Sequence, residues 1–142
     1  MELRTVCFKG NKNELFKIAG KIREDIFLFE QGFSVEYDDI DKDAYHVIVF
    51  DEKKPIATSR FYGTDNPVHI GRVAVIKEYR QKGIGEYLMR QTEAYAKEKG
   101  ALTITLGAQA RASSFYKKCG YKEYGEEYMD EFCLHINMMK KL

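Results

Sequence analysis

Arg80-Gln81-Lys82-Gly83-Ile84-Gly85 is the stretch of this chain whose residue types could bind a phosphate. It follows a strand-like run, His69 to Ile76, and opens a long amphipathic segment with helical spacing. Glycines at such a junction leave backbone N–H groups bare at a helix N-terminus. Converging donors and the helix dipole then favour an anion. Two commoner phosphate loops are excluded. The P-loop pattern G-x-x-x-x-G-K-S/T is absent. The dinucleotide pattern G-x-G-x-x-G fails because Leu88 stands at the third glycine position. The acidic residue that should follow about 20 residues on is missing too.

What remains, Q/R-x-x-G-x-G/A after a strand, resembles the acyl-CoA pyrophosphate loop of the GNAT family of N-acetyltransferases. Gly71 to Gly85 carries the firmest part of the likeness. Ala112-Ser113-Ser114-Phe115-Tyr116-Lys117-Lys118-Cys119-Gly120-Tyr121 is similar to the family's A-x-x-F-Y-x-x-x-G-F/Y segment, in the right order and at about the right separation. Phe29-Glu30-Gln31, Ala108-Gln109-Ala110 and His135-Ile136-Asn137-Met138 are similar to the ElaA-like branch. The resemblance spans nearly the whole chain. It implies an α/β (α+β) fold with a mixed, mostly antiparallel sheet, a splayed parallel strand pair and helices on both faces. It also implies transfer of an acetyl group from acetyl-CoA to a primary amine of a small molecule or peptide, by direct attack in a ternary complex. An acyl-CoA sensor or pseudoenzyme of the same fold is the alternative.

The same resemblance assigns the site residues. Backbone N–H groups of Gln81, Lys82, Gly83, Ile84, Gly85 and Glu86 would hold the pyrophosphate, with charge from Arg80 and Lys82. A Cβ at Gly83 or Gly85 would obstruct it. Backbone groups of Val73, Ala74 and Val75 would bind the pantetheine and the thioester oxygen. The Val75 N–H would be the oxyanion donor, a role worth about 3 kcal/mol of barrier. Gln109, Ser113 and Phe115 would complete the cofactor contacts. Tyr116 would point at the CoA sulfur. Full proton transfer from a phenol to a thiolate is uphill by roughly 2 kcal/mol in water. Tyr116 is therefore read as a hydrogen-bond donor to the leaving sulfur.

The general base is the open assignment. At pH 7 only about one part in 2,500 of an alkylammonium is neutral, so its proton must be removed. His69 lies at a strand position where histone acetyltransferases of this family carry a catalytic glutamate. A histidine there would titrate in the useful range. Glu30, beside Gln31, and His135 compete for base and acceptor-binding roles, on elements that flank the acceptor cleft in the family. His46 opens a strand and reads as structural. Glu36, Asp38, Asp39, Asp41 and Asp43 form either a solvated loop or an acidic rim suited to a cationic amine.

Composition narrows the setting. A net charge of +1 gives no global drive toward nucleic acid or membrane. Neither a signal peptide nor an apolar run of spanning length is present. Cys7, Cys119 and Cys133 form no C-x-x-C pair, and the three histidines are scattered. No metal site or disulfide framework is expected, and a reducing cytoplasm is the simplest compartment. The length of 142 residues and hydrophobic content of 44% suit one domain over 1–142. A homodimer through the final strands rests on the resemblance alone.

The elements that must position these groups follow from periodicity. Glu2 to Phe8 reads as a strand. Asn13 can cap a helix running to about Phe29, with Ile18, Ile22, Ile26 and Phe29 toward the core. Phe33 to Asp43 reads as a loop with a short turn. Tyr45–Phe50 and Pro55–Tyr62 form a hairpin across Asp51 to Lys54, and His69–Ile76 is the next strand. Gly83–Lys99 is a helix with Leu88, Gln91, Thr92 and Tyr95 along one side, stopped at Gly100. Leu102–Leu106 is a strand parallel to His69–Ile76. Gln109–Cys119 reads as a short helix, and Tyr121–Tyr128 with Phe132–Met139 as a final hairpin.

Overall fold

The structure is a computed structural model that describes residues 1–34, 37–63 and 66–142. In chain order its elements are β1 (Leu3–Lys9), α1 (Leu15–Arg23), a π-helical turn (Glu24–Glu30), a 3-10 turn (Asp39–Lys42), β2 (Tyr45–Asp51), β3 (Lys54–Tyr62), β4 (Val68–Val75), a 3-10 turn (Lys77–Tyr79), α2 (Ile84–Glu98), β5 (Thr103–Gln109), a 3-10 turn (Ala110–Ala112), α3 (Ser113–Lys118), β6 (Lys122–Asp130) and β7 (Cys133–Lys141). The seven strands form one sheet in the order β1-β2-β3-β4-β5-β7-β6. Every neighbouring pair is antiparallel except β4 and β5.

The sequence of β2 explains why helices cover both faces. Its residues alternate across the sheet, and both sets are apolar. Val47 and Val49 pack with Leu88, Met89 and Ala96 of α2. Ile48 and Phe50 pack with Ala19 of α1. A strand buried on both faces reads as a continuous apolar run, as Tyr45 to Phe50 does. The Ser59 and Thr92 hydroxyls, 2.7 Å apart, pin α2 to β3.

Several expectations need correction. Asn13 does cap α1, accepting from Leu15 N at 2.9 Å. The helix then widens into the π-helical turn, which lowers the rotation per residue. Ile22 and Ile26 stay buried, but Phe29 is carried round to solvent at 79% exposure. The buried stripe of α2 is Ile84, Leu88, Met89, Thr92, Glu93 and Ala96, with Gln91 and Tyr95 only half-buried beside it. β5 runs three residues past Leu106, so Gln109 ends a strand rather than starting a helix. Gly100 does stop α2, with φ of +97°.

Candidate active site

The strand pair β4–β5 opens where the cofactor was expected. The two are paired only at Val68–Ile104 and His69–Thr105. β5 then continues along β7, and β4 along β3. Beyond His69 the edge of β4 that faces β5 has no strand partner among the described residues. A bulge between Thr58 and Arg60 adds a residue on β4, where Arg72 takes φ of +51°. Ile76 N donates to Ile56 O at 2.9 Å, which makes Ala57 and Val75 a non-hydrogen-bonded pair. The Val75 N–H and C=O therefore turn away from β3 and into the split. Arg80 Nε donates to that same Val75 oxygen at 2.9 Å.

The loop after β4 leaves a bare helix start. Gln81 and Gly83 both have positive φ, +61° and +80°. Among the described residues no side chain caps α2, and Tyr87 N→Gly83 O is its first bond, at 3.1 Å. The N–H groups of Ile84, Gly85 and Glu86 thus have no intrahelical acceptor. The two glycines are needed for different reasons. A Cβ at Gly83 would meet nothing within 4 Å, so its φ is the constraint. A Cβ at Gly85 would lie 3.0 Å from the Phe115 ring. Phe115 on α3 therefore seats against the first turn of α2, and this contact joins the two motifs.

Tyr116 follows on α3. Its ring stands edge-on to Phe115 at 5.0 Å and to Tyr121 at 6.0 Å. Behind it, Tyr121 donates to Glu93 at 2.7 Å, and Lys140 bonds the other Glu93 oxygen at 2.8 Å. The Tyr116 hydroxyl has no hydrogen-bond partner among the described residues. Burial pushes its pKa well up, so near neutral pH it is a phenol with a proton to donate.

A groove of about 1030 Å³ runs through these parts. Val73, Val75, Arg80, Gln81, Gly83, Gly85, Glu86, Gln109, Phe115 and Tyr116 all line it. So do His69, Glu30, Gln31 and His135. Four expected cofactor residues do not. Ala74 and Ile84 are buried in the core. Lys82 lies outside the groove with its ammonium 5.5 Å from the Tyr79 ring. Ser113 turns its hydroxyl to the Glu123 carboxylate.

Two bridges cross from the π-helical turn. Arg80 binds both oxygens of Glu30, with Nη2 to Oε2 at 2.9 Å. Gln109 Nε2 donates to Gln31 Oε1 at 2.8 Å, and Arg111 Nε donates to Gln109 Oε1 at 2.8 Å. The turn is thereby tied to both sides of the split. Hydrogen bonding from Arg80 holds the Glu30 carboxyl below its ordinary range, which suits an ion pair and not a base. Arg80 is likewise committed to Glu30 and Val75, so its charge reaches a phosphate only at a distance.

The two histidines differ. His69 is exposed and stacks flat on Tyr62 at 5.1 Å. Neither of its nitrogens has a hydrogen-bond partner among the described residues. His135 is buried, donates Nδ1–H to Cys133 O at 3.0 Å, and sets Nε2 4.0 Å from Asp130. His46 is structural: it is buried between Phe8 and Phe16, with Nε2 at 3.2 Å from Asp41 O.

Neither reading of the acidic segment, a solvated loop or an acidic rim, holds throughout its described residues. Asp41 is 1% exposed and bonds Arg23 and Arg60 at 2.9 and 2.8 Å. Asp38 bonds Arg60 at 2.6 Å and Arg72 at 3.3 Å. Asp39 pairs with Lys42 in solvent, and Glu36 lies outside the described residues. Asp38 and Asp41 are thus held by arginines, while Asp39 and Asp43 face solvent. Sequence reasoning missed Arg60, Tyr62, Arg72, Arg111, Lys118 and Tyr128, all of which line the groove. Arg72 and Lys118 stand at unassigned positions within the two motifs and the others in none, so their place in the groove follows from tertiary structure. Among the described residues no group of three His, Cys, Asp or Glu side chains could hold a metal ion. No helix there is long and apolar enough to cross a membrane.

Comparison with known proteins adds lineage to this geometry. The family model for the acetyltransferase (GNAT) domain matches residues 28–142. An uncharacterized N-acetyltransferase, YjcF of Bacillus subtilis, is 35% identical over 134 residues, covering 92% of this chain and 96% of its own. Protein ElaA of Escherichia coli is 29% identical over 129 residues, covering 86% of this chain and 84% of its own. Its crystal structure matches with a TM-score of 0.85 at 24% identity, over 98% of this chain and 99% of that one. An acyl-CoA N-acyltransferase from Pseudomonas aeruginosa matches with a TM-score of 0.88 at 24% identity, over 98% and 99%. The family match thus takes in both motifs and every strand from β2 onward, and the chain belongs to the GNAT family of acetyltransferases, with ElaA among its relatives.

Proposed function

We propose that residues 1–142 act as one domain that moves an acetyl group from acetyl-CoA to a primary amine of a small molecule or peptide. The observation that carries this reading is the open edge of β4, with the Val75 N–H turned into a split that lies between the bare start of α2 and the Tyr116 hydroxyl. The α2 start and the Gln81–Glu86 N–H groups bind the pyrophosphate. The edge of β4 takes the pantetheine in place of a strand, and Val75 N–H stabilises the oxygen that gains charge on the acetyl carbon.

His69 takes the proton from the acceptor ammonium, directly or through water. The amine nitrogen then bonds the acetyl carbon, the carbon–sulfur bond breaks, and the thiolate leaves against the Tyr116 hydroxyl. Tyr116 donates a hydrogen bond and keeps its own proton; the second proton that the attacking nitrogen sheds to become the amide passes through water to the thiolate and gives the CoA thiol. No cysteine is acylated in this scheme. Burial raises the pKa of Cys119, and Cys7 is pushed up to about 11; both stay thiols, which are poor nucleophiles. The free, half-buried cysteines suit a reducing, cytoplasmic setting.

Tyr116→Phe tests the scheme. Turnover, read as CoA release, should fall about 100-fold, with acetyl-CoA affinity by calorimetry almost unchanged. Wild-type turnover in that variant removes Tyr116 from the mechanism.

A further inference from the structure

Two tyrosines of β6 reach back to β5, and they do different things there. Tyr124 spends its hydroxyl on Thr105, 2.6 Å away. Tyr128 reaches Gly107, two residues further on the same face of β5. A methyl group at Gly107 would stand 2.3 Å from the Tyr128 hydroxyl oxygen. The phenol therefore lies directly on the β5 backbone, and only glycine leaves room for it. The ring is held from the side by its cross-strand partner His135, with centroids 5.6 Å apart.

This contact falls at the head of the split, just past the last β4–β5 pair at His69 and Thr105. Gly107, Tyr128 and His69 all line the groove. The Tyr128 hydroxyl has no hydrogen-bond partner among the described residues. Tyr128 is 39% exposed and lines the groove, so a hydroxyl fixed in place by this packing is open to a partner that arrives from outside.

We propose that the Tyr128 hydroxyl orients the acceptor: its oxygen accepts a hydrogen bond from the N–H of a primary amine and holds that nitrogen over the split beside His69. The assignment rests on the acyl-transfer reading above. The chemistry suits the task. Burial raises the phenol pKa, so the group is neutral near pH 7. A neutral oxygen holds the amine without the strong stabilisation of its ammonium form that a carboxylate would give. The proton is then free to pass to His69. Asp130, close enough to act on Tyr128, supplies negative charge that draws the cation in.

Three probe amines test this: spermidine, glucosamine and a lysine-containing peptide, each assayed by CoA release and by calorimetry on the CoA-loaded protein. Tyr128→Phe should raise the KM of an active amine about five- to tenfold, the value of one hydrogen bond, and leave acetyl-CoA affinity unchanged. Gly107→Ala should reproduce the defect by displacing the hydroxyl. The double variant should be no worse than Tyr128→Phe alone, because loss of the hydroxyl leaves the ring carbon 3.7 Å from the new methyl, an ordinary contact. An unchanged amine KM in Tyr128→Phe, additive losses in the double variant, or a wild-type protein that binds acetyl-CoA and none of the three amines would each overturn the assignment. A wild-type protein that binds no acetyl-CoA would instead overturn the acyl-transfer reading, and the Tyr128 role with it.

Discussion

Gly83→Glu is expected to abolish acetyl-CoA binding and leave the fold nearly intact. Two effects add at that position. The backbone φ of +80° suits glycine, and an L-residue there costs about 1–2 kcal/mol. The new carboxylate also stands where α2 offers its uncapped N–H groups, so it competes with or repels the pyrophosphate. The fold should survive because a Cβ at Gly83 meets nothing within 4 Å. Calorimetry should show affinity lower by about 100-fold or more, equivalent to about 2.7 kcal/mol. The melting temperature should drop by no more than about 8 °C. Gly83→Ala separates the causes: it keeps the strain, lacks the charge and should bind better than Gly83→Glu. Unchanged affinity in Gly83→Glu would remove the loop from the site.

The largest expected loss of stability lies at Asp41. Its carboxylate is shared by Arg23 and Arg60, and all three residues are buried, Arg60 at 3% exposure. Burial alone would raise the Asp41 pKa, but hydrogen bonds from Arg23 and Arg60 outweigh it and hold the carboxyl below its ordinary range. Asp41→Ala leaves both arginines without the carboxylate they share. It should cost about 3–5 kcal/mol by urea denaturation. Asp39→Ala, at an exposed carboxylate paired with Lys42, should stay within about 0.5 kcal/mol. A loss below about 1 kcal/mol at Asp41 would mean that the cluster contributes little. The pH dependence follows from the sign of the shift. A carboxyl with a lowered folded pKa contributes fully above its unfolded pKa of about 3.9. That contribution is lost as pH falls through the lower folded value. Wild-type stability should therefore fall more steeply than that of Asp41→Ala below about pH 4.

How much was legible in the sequence depended on how local each feature is. The Arg80–Gly85 loop and the Phe115–Tyr116 pair are short motifs fixed by their own backbone, and the structure brings them into contact at Gly85. β2 announced itself by its apolar run. Phe29 was misplaced because a π-helical turn breaks the 3.6-residue period without any proline or glycine to mark it. Gln109 was read as a helix start because Ala108, Ala110, Arg111 and Ala112 around it are good helix formers, yet β5 carries it by pairing with β7. The acidic segment was misread for another reason: Asp38 and Asp41 find Arg60 and Arg72 only through the pairing of β3 with β4. The Glu30–Arg80 and Gln31–Gln109 bridges, like the Tyr128–Gly107 contact, join residues far apart in the chain, and no window of sequence contains both members.

The most direct test of the account is a calorimetric titration of the wild-type protein with acetyl-CoA, followed by CoA release in the presence of a primary amine. Saturable one-to-one binding and amine-dependent release are the predicted result. Failure to bind acetyl-CoA would contradict the assignment of the loop and of the open β4 edge. Binding without release on any amine would contradict the catalytic scheme and leave an acyl-CoA sensor in its place.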